Sequence, residues 1–329
     1  MYTEIPLCLS ILFVAGGLVA LAWSSDLFVA GAASVARAFG ISSFVVGMVV
    51  IGFGTSAPEL CVSALSAFSG HSNLSLGNAY GSCVFNIAAI LGVAALIRPL
   101  SVKPATALVS GPLLAVIAVF SAWMLNDGVC SRLEGLSMLA AFGLIMPLYC
   151  WLDKDAKPAG GDEAEVASGK GLGLAFVKLL VGLAVLVGSS HILVWGAVDL
   201  AKAVGVSDLV IGLTVIAVGT SLPELASAVA SARRGEHEFV LGNIVGSNLF
   251  NSLAVVGLAS SIAPAEGFSR FVVLRDLPAM ALLSLSITAM GANWRNLRSP
   301  GSVTRPKGAV WLLALVAYTA LVMFNELGK

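Results

Sequence analysis

Charge is scarce in this chain. Asp, Glu, Lys and Arg make up 11% of its 329 residues, and 58% are hydrophobic. A soluble domain carries about 25% charged and about 45–50% apolar residues, so this composition cannot cover a globule with a water-facing surface. Mean hydropathy is +0.97. The formal net charge is zero, which leaves no electrostatic basis for binding nucleic acid. Paired cysteines are missing too. Cys8, Cys61, Cys83, Cys130 and Cys150 are scattered singly with no Cys-x-x-Cys, which argues against a disulfide frame or a zinc site. No HExxH, GxSxG or Cys–His arrangement occurs, so an enzyme is not expected, and no cofactor either. Gly-Lys-Gly-Leu-Gly at 169–173 lacks the Walker spacing and a preceding strand, so it is a loop entering a helix. The first apolar stretch has no basic residue before it, only Glu4, and is expected to be a retained helix rather than a signal peptide.

Long apolar runs are what the chain does have. A bilayer core takes about 20 apolar residues per helix. Ten segments meet that requirement, at 6–36, 41–68, 73–97, 105–125, 131–151, 172–201, 206–232, 238–262, 270–291 and 308–326. The expected fold class is therefore all-α integral membrane, with ten transmembrane helices. The sizeable polar stretch, 153–170, separates residues 1–152 from 171–329 and is expected to be a cytoplasmic linker. Lys and Arg give the orientation. With the N-terminus outside, thirteen fall on cytoplasmic ends and five (Arg132, Lys202, Arg270, Arg275, Lys329) on the outer side. Both termini are expected on the outer side of a cell membrane. Arg233 and Arg234 then act as determinants of topology at the inner boundary.

The two halves match without a gap at an offset of 165 residues. Gly47-Met-Val-Val-Ile-Gly-Phe-Gly-Thr-Ser-Ala-Pro-Glu-Leu60 aligns with Gly212-Leu-Thr-Val-Ile-Ala-Val-Gly-Thr-Ser-Leu-Pro-Glu-Leu225. Gly77-Asn-Ala-Tyr-Gly-Ser-Cys-Val-Phe-Asn86 aligns with Gly242-Asn-Ile-Val-Gly-Ser-Asn-Leu-Phe-Asn251. Chance likeness between apolar helices would preserve Leu and Val, not Thr, Ser, Pro, Glu and Asn. Five helices per half is an odd number, so the second half enters the membrane from the opposite side. That arrangement is an inverted-topology repeat, with its site expected near the midplane.

Glu59 and Glu224 each stand inside an apolar helix. An ionised group there costs at least about 2.5–3.5 kcal/mol, and a bound cation is the simplest shared compensation. Pro58 and Pro223 lack an N–H, so carbonyls one turn earlier lose helical partners. Those carbonyls belong near Gly54 and Gly219, with Gly52 and Ala217 close by. Together with the hydroxyls of Thr55, Ser56, Thr220 and Ser221, they make an all-oxygen set. Ser82 with Asn86, and Ser247 with Asn251, share helix faces at i, i+4 spacing. Gly77, Gly81, Gly242 and Gly246, with Asn78 and Asn243, are expected to serve helix packing. Hard oxygen ligands of this kind suit Ca²⁺ or Na⁺ rather than Zn²⁺ or Cu⁺. The one soft atom in the motifs belongs to Cys83, at the position equivalent to Asn248. Asp26 and His191, also at equivalent positions, are expected to be polar residues near a crevice or helix end, with a proton-linked gate as the other reading.

These paired motifs resemble the α-repeats of the Na⁺/Ca²⁺ exchangers in the Ca²⁺/cation antiporter superfamily. The likeness covers about 80 residues in each half. It implies ion coordination by Thr55, Ser56, Glu59, Ser82 and Asn86 from one repeat and Thr220, Ser221, Glu224, Ser247 and Asn251 from the other. It also implies first and sixth helices that slide across a fixed core during alternating access. Asn251, where some relatives carry Asp, resembles the K⁺-independent branch. Proton-coupled members carry Gly-Asn-x-x-Glu, and here Gly81 and Gly246 stand at the Glu position. The expected function is a monomeric secondary antiporter exchanging Na⁺ for Ca²⁺ across the lipid bilayer. H⁺ coupling is the alternative, and a passive cation channel comes behind it.

Overall fold

The computed structural model describes residues 7–70, 72–152, 169–203 and 217–327. The first long helix, α1 (Leu7–Phe39), stops at Gly40, whose φ of +64° turns the chain out of the helix. Ser42 caps the next one, accepting from Val45 N at 3.1 Å. That helix, α2 (Ser43–Thr55), is followed by α3 (Ala57–Phe68), bent from it by 44°. Then come α4 (Ser72–Ile97), α5 (Thr106–Asp127) and α6 (Arg132–Leu152). The second half holds α7 (Gly169–Ala203), the short α8 (Ala217–Thr220), α9 (Leu222–Arg234), α10 (His237–Ile262), α11 (Val272–Gly291) and α12 (Arg305–Leu327).

Among the described residues, eight helices are long and apolar enough to cross a membrane, with a ninth span if α2 and α3 count as one. The segment expected at 206–232 falls partly on residues outside those described. The chain is thus a multi-pass, all-helical membrane protein apart from two small strand pairs in its connections. β1 (Leu100–Val102) pairs antiparallel with β4 (Gly301–Val303), and β2 (Val129–Cys130) with β3 (Ala265–Glu266). Backbone leaving a helix must find partners, and here loops from the two halves satisfy one another.

The two spans that carry the repeated Gly-Ser-x-x-Phe-Asn motif, α4 and α10, lie innermost. Every residue of α10 from 239 to 257 is buried, although it includes Asn243, Ser247, Asn248, Asn251 and Ser252. By contrast, α1 and α7 expose Leu12, Val19, Trp23, Leu180 and Trp195. Polar groups are excluded from lipid, so the helix carrying them takes the centre. Helices α1 and α7 cross the core together and run antiparallel. A Cβ added at Gly17 would meet Leu193, one at Gly31 would meet Leu179, and one at Gly182 would meet Phe28. Helices α2 and α10 run parallel with backbones touching. Cβ atoms at Gly242 and Gly246 would strike the carbonyls of Phe44 and Met48, as one at Gly47 would strike Phe239. Small residues are what permit this approach. Gly77 and Gly81 meet nothing described within 4 Å. The segment equivalent to α2 in the second half, 208–216, lies outside the described residues.

Candidate functional site

The site forms where two helices break. Backbone at Ser56 (φ −83°, ψ 2°) and Ser221 (φ −91°, ψ 7°) leaves the helical region. Leu60 N and Leu225 N donate back to Ser56 O and Ser221 O, both at 3.1 Å. The prolines therefore do not kink a continuous helix. They open a new one, occupying its first turn, where a missing N–H costs nothing. Glu59 and Glu224 fall in those same first turns, at the positive ends of α3 and α9, which favour a carboxylate.

Both carboxylates are fully buried, at 0% exposure. Their hydrogen bonds cross between the halves. Ser56 Oγ donates to Glu224 Oε1 at 3.0 Å, and Ser221 Oγ to Glu59 Oε1 at 3.5 Å. Ser221 Oγ also lies 3.5 Å from Ser82 Oγ. No Lys or Arg pairs with either glutamate among the described residues. Glu59 Oε2 and Glu224 Oε2 are buried without any hydrogen-bond partner, as are Asn86 Oδ1 and both polar atoms of Asn251. A buried polar atom left unpaired costs about 1–3 kcal/mol, and more if charged. Buried oxygens without a partner thus come from both halves, and oxygens of this kind are what a hard cation takes. Among the described residues no group of three or more His, Cys, Asp or Glu is poised for a metal.

The remaining candidates divide. Thr55 Oγ1 donates within 2.9 Å of Ile51 O and 3.3 Å of Asn243 Oδ1. Ser247 Oγ donates to Asn243 Oδ1 at 3.4 Å. Thr220 ends α8, and Ala217 begins it. The Gly52 carbonyl accepts from Ser56 N at 3.1 Å, and the Gly219 carbonyl, where proline was expected to free one, accepts from Ser190 Oγ of α7 at 3.0 Å. Gly52 stands four residues before Ser56, which has an N–H, so proline does not remove its helical bond. Ser82 Oγ lies 3.5 Å from Ser221 Oγ, and Asn86 Nδ2 donates to Asn248 Oδ1 at 3.2 Å.

Sequence reasoning missed the second layer. Asn248 Nδ2 donates to Cys83 O at 3.4 Å, and Cys83 Sγ points to Asn248 O at 3.7 Å, so two equivalent positions grip each other's backbone. Wide π-helical turns begin at Asn86 and at Phe250, beside Asn251, where such turns often mark function. Arg234 is more than a determinant of topology. Its Nε lies 3.6 Å from Asp26 Oδ1, and its Nη2 donates to Asp26 O at 3.1 Å. A cleft of about 230 Å³ between α1 and α9 is lined by Leu222, Ala226, Arg233 and Asp26. Asp26 is thus a polar residue beside a crevice, and His191 is exposed on α7.

A family model described as sodium/calcium exchanger protein matches this chain over residues 9–151 and 174–324. The chain belongs to the sodium/calcium exchanger family. CaxA of Alkalimonas amylolytica, named as an antiporter, is 39% identical over 315 residues, 94% of this chain and 98% of that one. The sodium/calcium exchanger MaX1 of Methanosarcina acetivorans is 27% identical over 348 residues, covering 94% of this chain and 97% of the relative. Among solved structures, the sodium-calcium exchanger NCX_Mj, soaked with Na⁺ and Sr²⁺, superposes with a TM-score of 0.80 at 29% identity, covering 95% of this chain and 98% of that one. The family is one of transporters rather than of catalytic enzymes.

Proposed function

We propose that this chain is a secondary active antiporter that exchanges Na⁺ for Ca²⁺ by alternating access. The observation that carries the reading is the pair of buried glutamates. Each is bonded by the other half's serine, neither is neutralised by a base, and each keeps an unpaired oxygen. Glu59 and Glu224 would balance the charge of Ca²⁺. Asn86, Asn251 and the hydroxyls of Thr55, Ser56, Thr220, Ser221, Ser82 and Ser247 would supply neutral oxygens. Na⁺ ions would use overlapping oxygens, so occupancy by one cation excludes the other, which is the condition for exchange. The carbonyls of Gly52 and Ala217 are the weakest members of the set, since Gly52 O already accepts two hydrogen bonds.

We read the architecture as ten helices in two inverted five-helix repeats. The antiparallel course of the equivalent helices α1 and α7 supports this reading. So does the pairing of β1 with β4 and of β2 with β3, each joining one half to the other. Residues 1–152 and 171–329 would be the repeats and 153–170 the cytoplasmic linker, with both termini outside the cell membrane and a monomer as the working unit.

The test is Ca²⁺ uptake into proteoliposomes driven by an outward Na⁺ gradient. Wild type should accumulate Ca²⁺. Glu59→Gln and Glu224→Gln should each lose nearly all uptake while eluting as folded protein, because losing a charged ligand costs several kcal/mol, roughly a hundredfold or more in occupancy. Uptake that follows a pH gradient and ignores Na⁺ would sink the Na⁺-coupled reading.

A further inference from the structure

We propose that Asn243 is a positioning residue that turns the lone pairs of the Ser247 hydroxyl toward the transported ion. The proposal rests on the ion site described above. A primary amide has two N–H donors and two oxygen lone pairs, and at Asn243 all four are engaged. Nδ2 donates to Ser227 Oγ at 3.0 Å and to Glu224 O at 3.4 Å. Oδ1 receives Thr55 Oγ1 at 3.3 Å and Ser247 Oγ at 3.4 Å. The side chain is 1% exposed.

This pattern separates three amides that look alike in sequence. Asn251 has no partner for either polar atom, and Asn86 keeps a free oxygen, so both can offer lone pairs to a cation. Asn243 has none to offer. Its oxygen instead takes protons. A hydroxyl has one proton and two lone pairs, and it binds a cation only through the lone pairs. Thr55 already gives its proton to Ile51 O at 2.9 Å, so the proton that Asn243 keeps from facing the ion is that of Ser247 of α10. Its amide hydrogens meanwhile fasten it to α9 at the carbonyl of Glu224 itself. One residue therefore couples α2, α9 and α10 around the site. The close approach at Gly242, beside the Phe44 carbonyl, brings it within reach of Thr55.

The equivalent asparagine is different. Asn78 is half-buried and donates to Ser63 Oγ at 3.4 Å, with no hydrogen bond to an ion-site residue among the described residues. The repeated Gly-Asn thus carries unequal duties in the two halves.

Initial rates of Na⁺-driven Ca²⁺ uptake as a function of Ca²⁺ concentration test this, with Asn78→Ala, a packing position, as the paired control. Asn243→Ala should raise the apparent KM for Ca²⁺ about tenfold, leave the maximal rate within about threefold, and shrink the rise in melting temperature that Ca²⁺ produces. Asn243→Asp is acceptor-only, so it sets an oxygen against the Glu224 carbonyl and should raise the KM at least as much, while Asn78→Ala should stay within about twofold. A KM for Asn243→Ala no higher than that of Asn78→Ala, or a fall in maximal rate alone, overturns the proposal. If the alanine variant does not fold, Asn243→Ser, whose shorter side chain cannot span Ser247 and α9 together, decides: a KM within about twofold of wild type refutes the role of the accepting oxygen. A wild-type protein without Na⁺-dependent uptake would reject the antiporter reading instead, which keeps the two failures distinct.

Discussion

Two serines carry the link between the halves at the level of single residues. Ser56 and Ser221 have nearly the same backbone angles, yet their hydroxyls reach the opposite glutamates at 3.0 and 3.5 Å. The first is a well-formed bond to a carboxylate and the second lies near the limit of one. Hydrogen bonds to charged groups contribute about 1.5–3 kcal/mol. Ser56→Ala should therefore raise the Ca²⁺ concentration needed for half-maximal uptake by about tenfold or more, and Ser221→Ala by less. Transport kinetics on the two variants side by side would check this, and equal effects would mean that both serines bind the ion directly rather than hold the carboxylates. Legibility at this scale was uneven. Thr55, Ser56, Glu59 and their partners were visible because polar residues at repeated positions in apolar segments need a reason. Asn243 and Asn248 were visible as repeats, but their partners were not, since nothing in a linear pattern says which of two like amides faces the centre.

For the helices as elements, backbone proximity decides. The α2–α10 contact is built on Gly47, Gly242 and Gly246, and a methyl group at Gly246 would run into the Met48 carbonyl, which cannot rotate away as a side chain could. Overpacking of this kind costs about 1–3 kcal/mol. Gly246→Ala should lower the melting temperature in detergent and weaken transport together, because α2 carries Thr55 to the site. Gly77→Ala meets nothing described within 4 Å and should be neutral or slightly stabilising, as alanine suits a helix better than glycine. The sequence reading treated all four glycines of the repeated motifs alike. A glycine records that a side chain is absent, not which neighbour fills the space, so α10 could not be told from α4 before the packing was known. The broken helices illustrate the same limit. Proline signalled a discontinuity, but the break falls at the serines before it, where the carbonyl geometry of both turns is satisfied.

Across the whole molecule, burial follows the repeated amide-bearing motif, since α10 and α4 are the most buried spans among the described residues. The amide-rich α10 lies in the middle, while α1 and α7 present Val19, Trp23, Leu180 and Trp195 outward. Those two helices pack on each other through glycines and the bond from Ser10 of α1 to Asp199 of α7, and polar ties to the core include the Asp26–Arg234 pair and the Ser190–Gly219 bond. Exposed ion pairs of the Asp26–Arg234 kind hold weakly, which suits elements proposed to slide. Orientation is a property of the entire chain and is tested as such. In a background without native cysteines, Ser168→Cys in whole cells should resist a membrane-impermeant maleimide and become labelled once the membrane is opened. Labelling of intact cells would reverse the proposed topology.

Sequence alone determined the class of environment, the duplication and the identity of the polar positions. Hydropathy follows from composition, and Thr, Ser, Pro, Glu and Asn recurring 165 residues apart need no coordinates to be seen. Only the tertiary structure decided which of those oxygens are already used. Whether a buried oxygen can receive an ion depends on whether another residue has already given it a proton. That partner comes from the far half of the chain, as Ser56 does for Glu224 and Ser221 for Glu59, and no local rule fixes a contact that long.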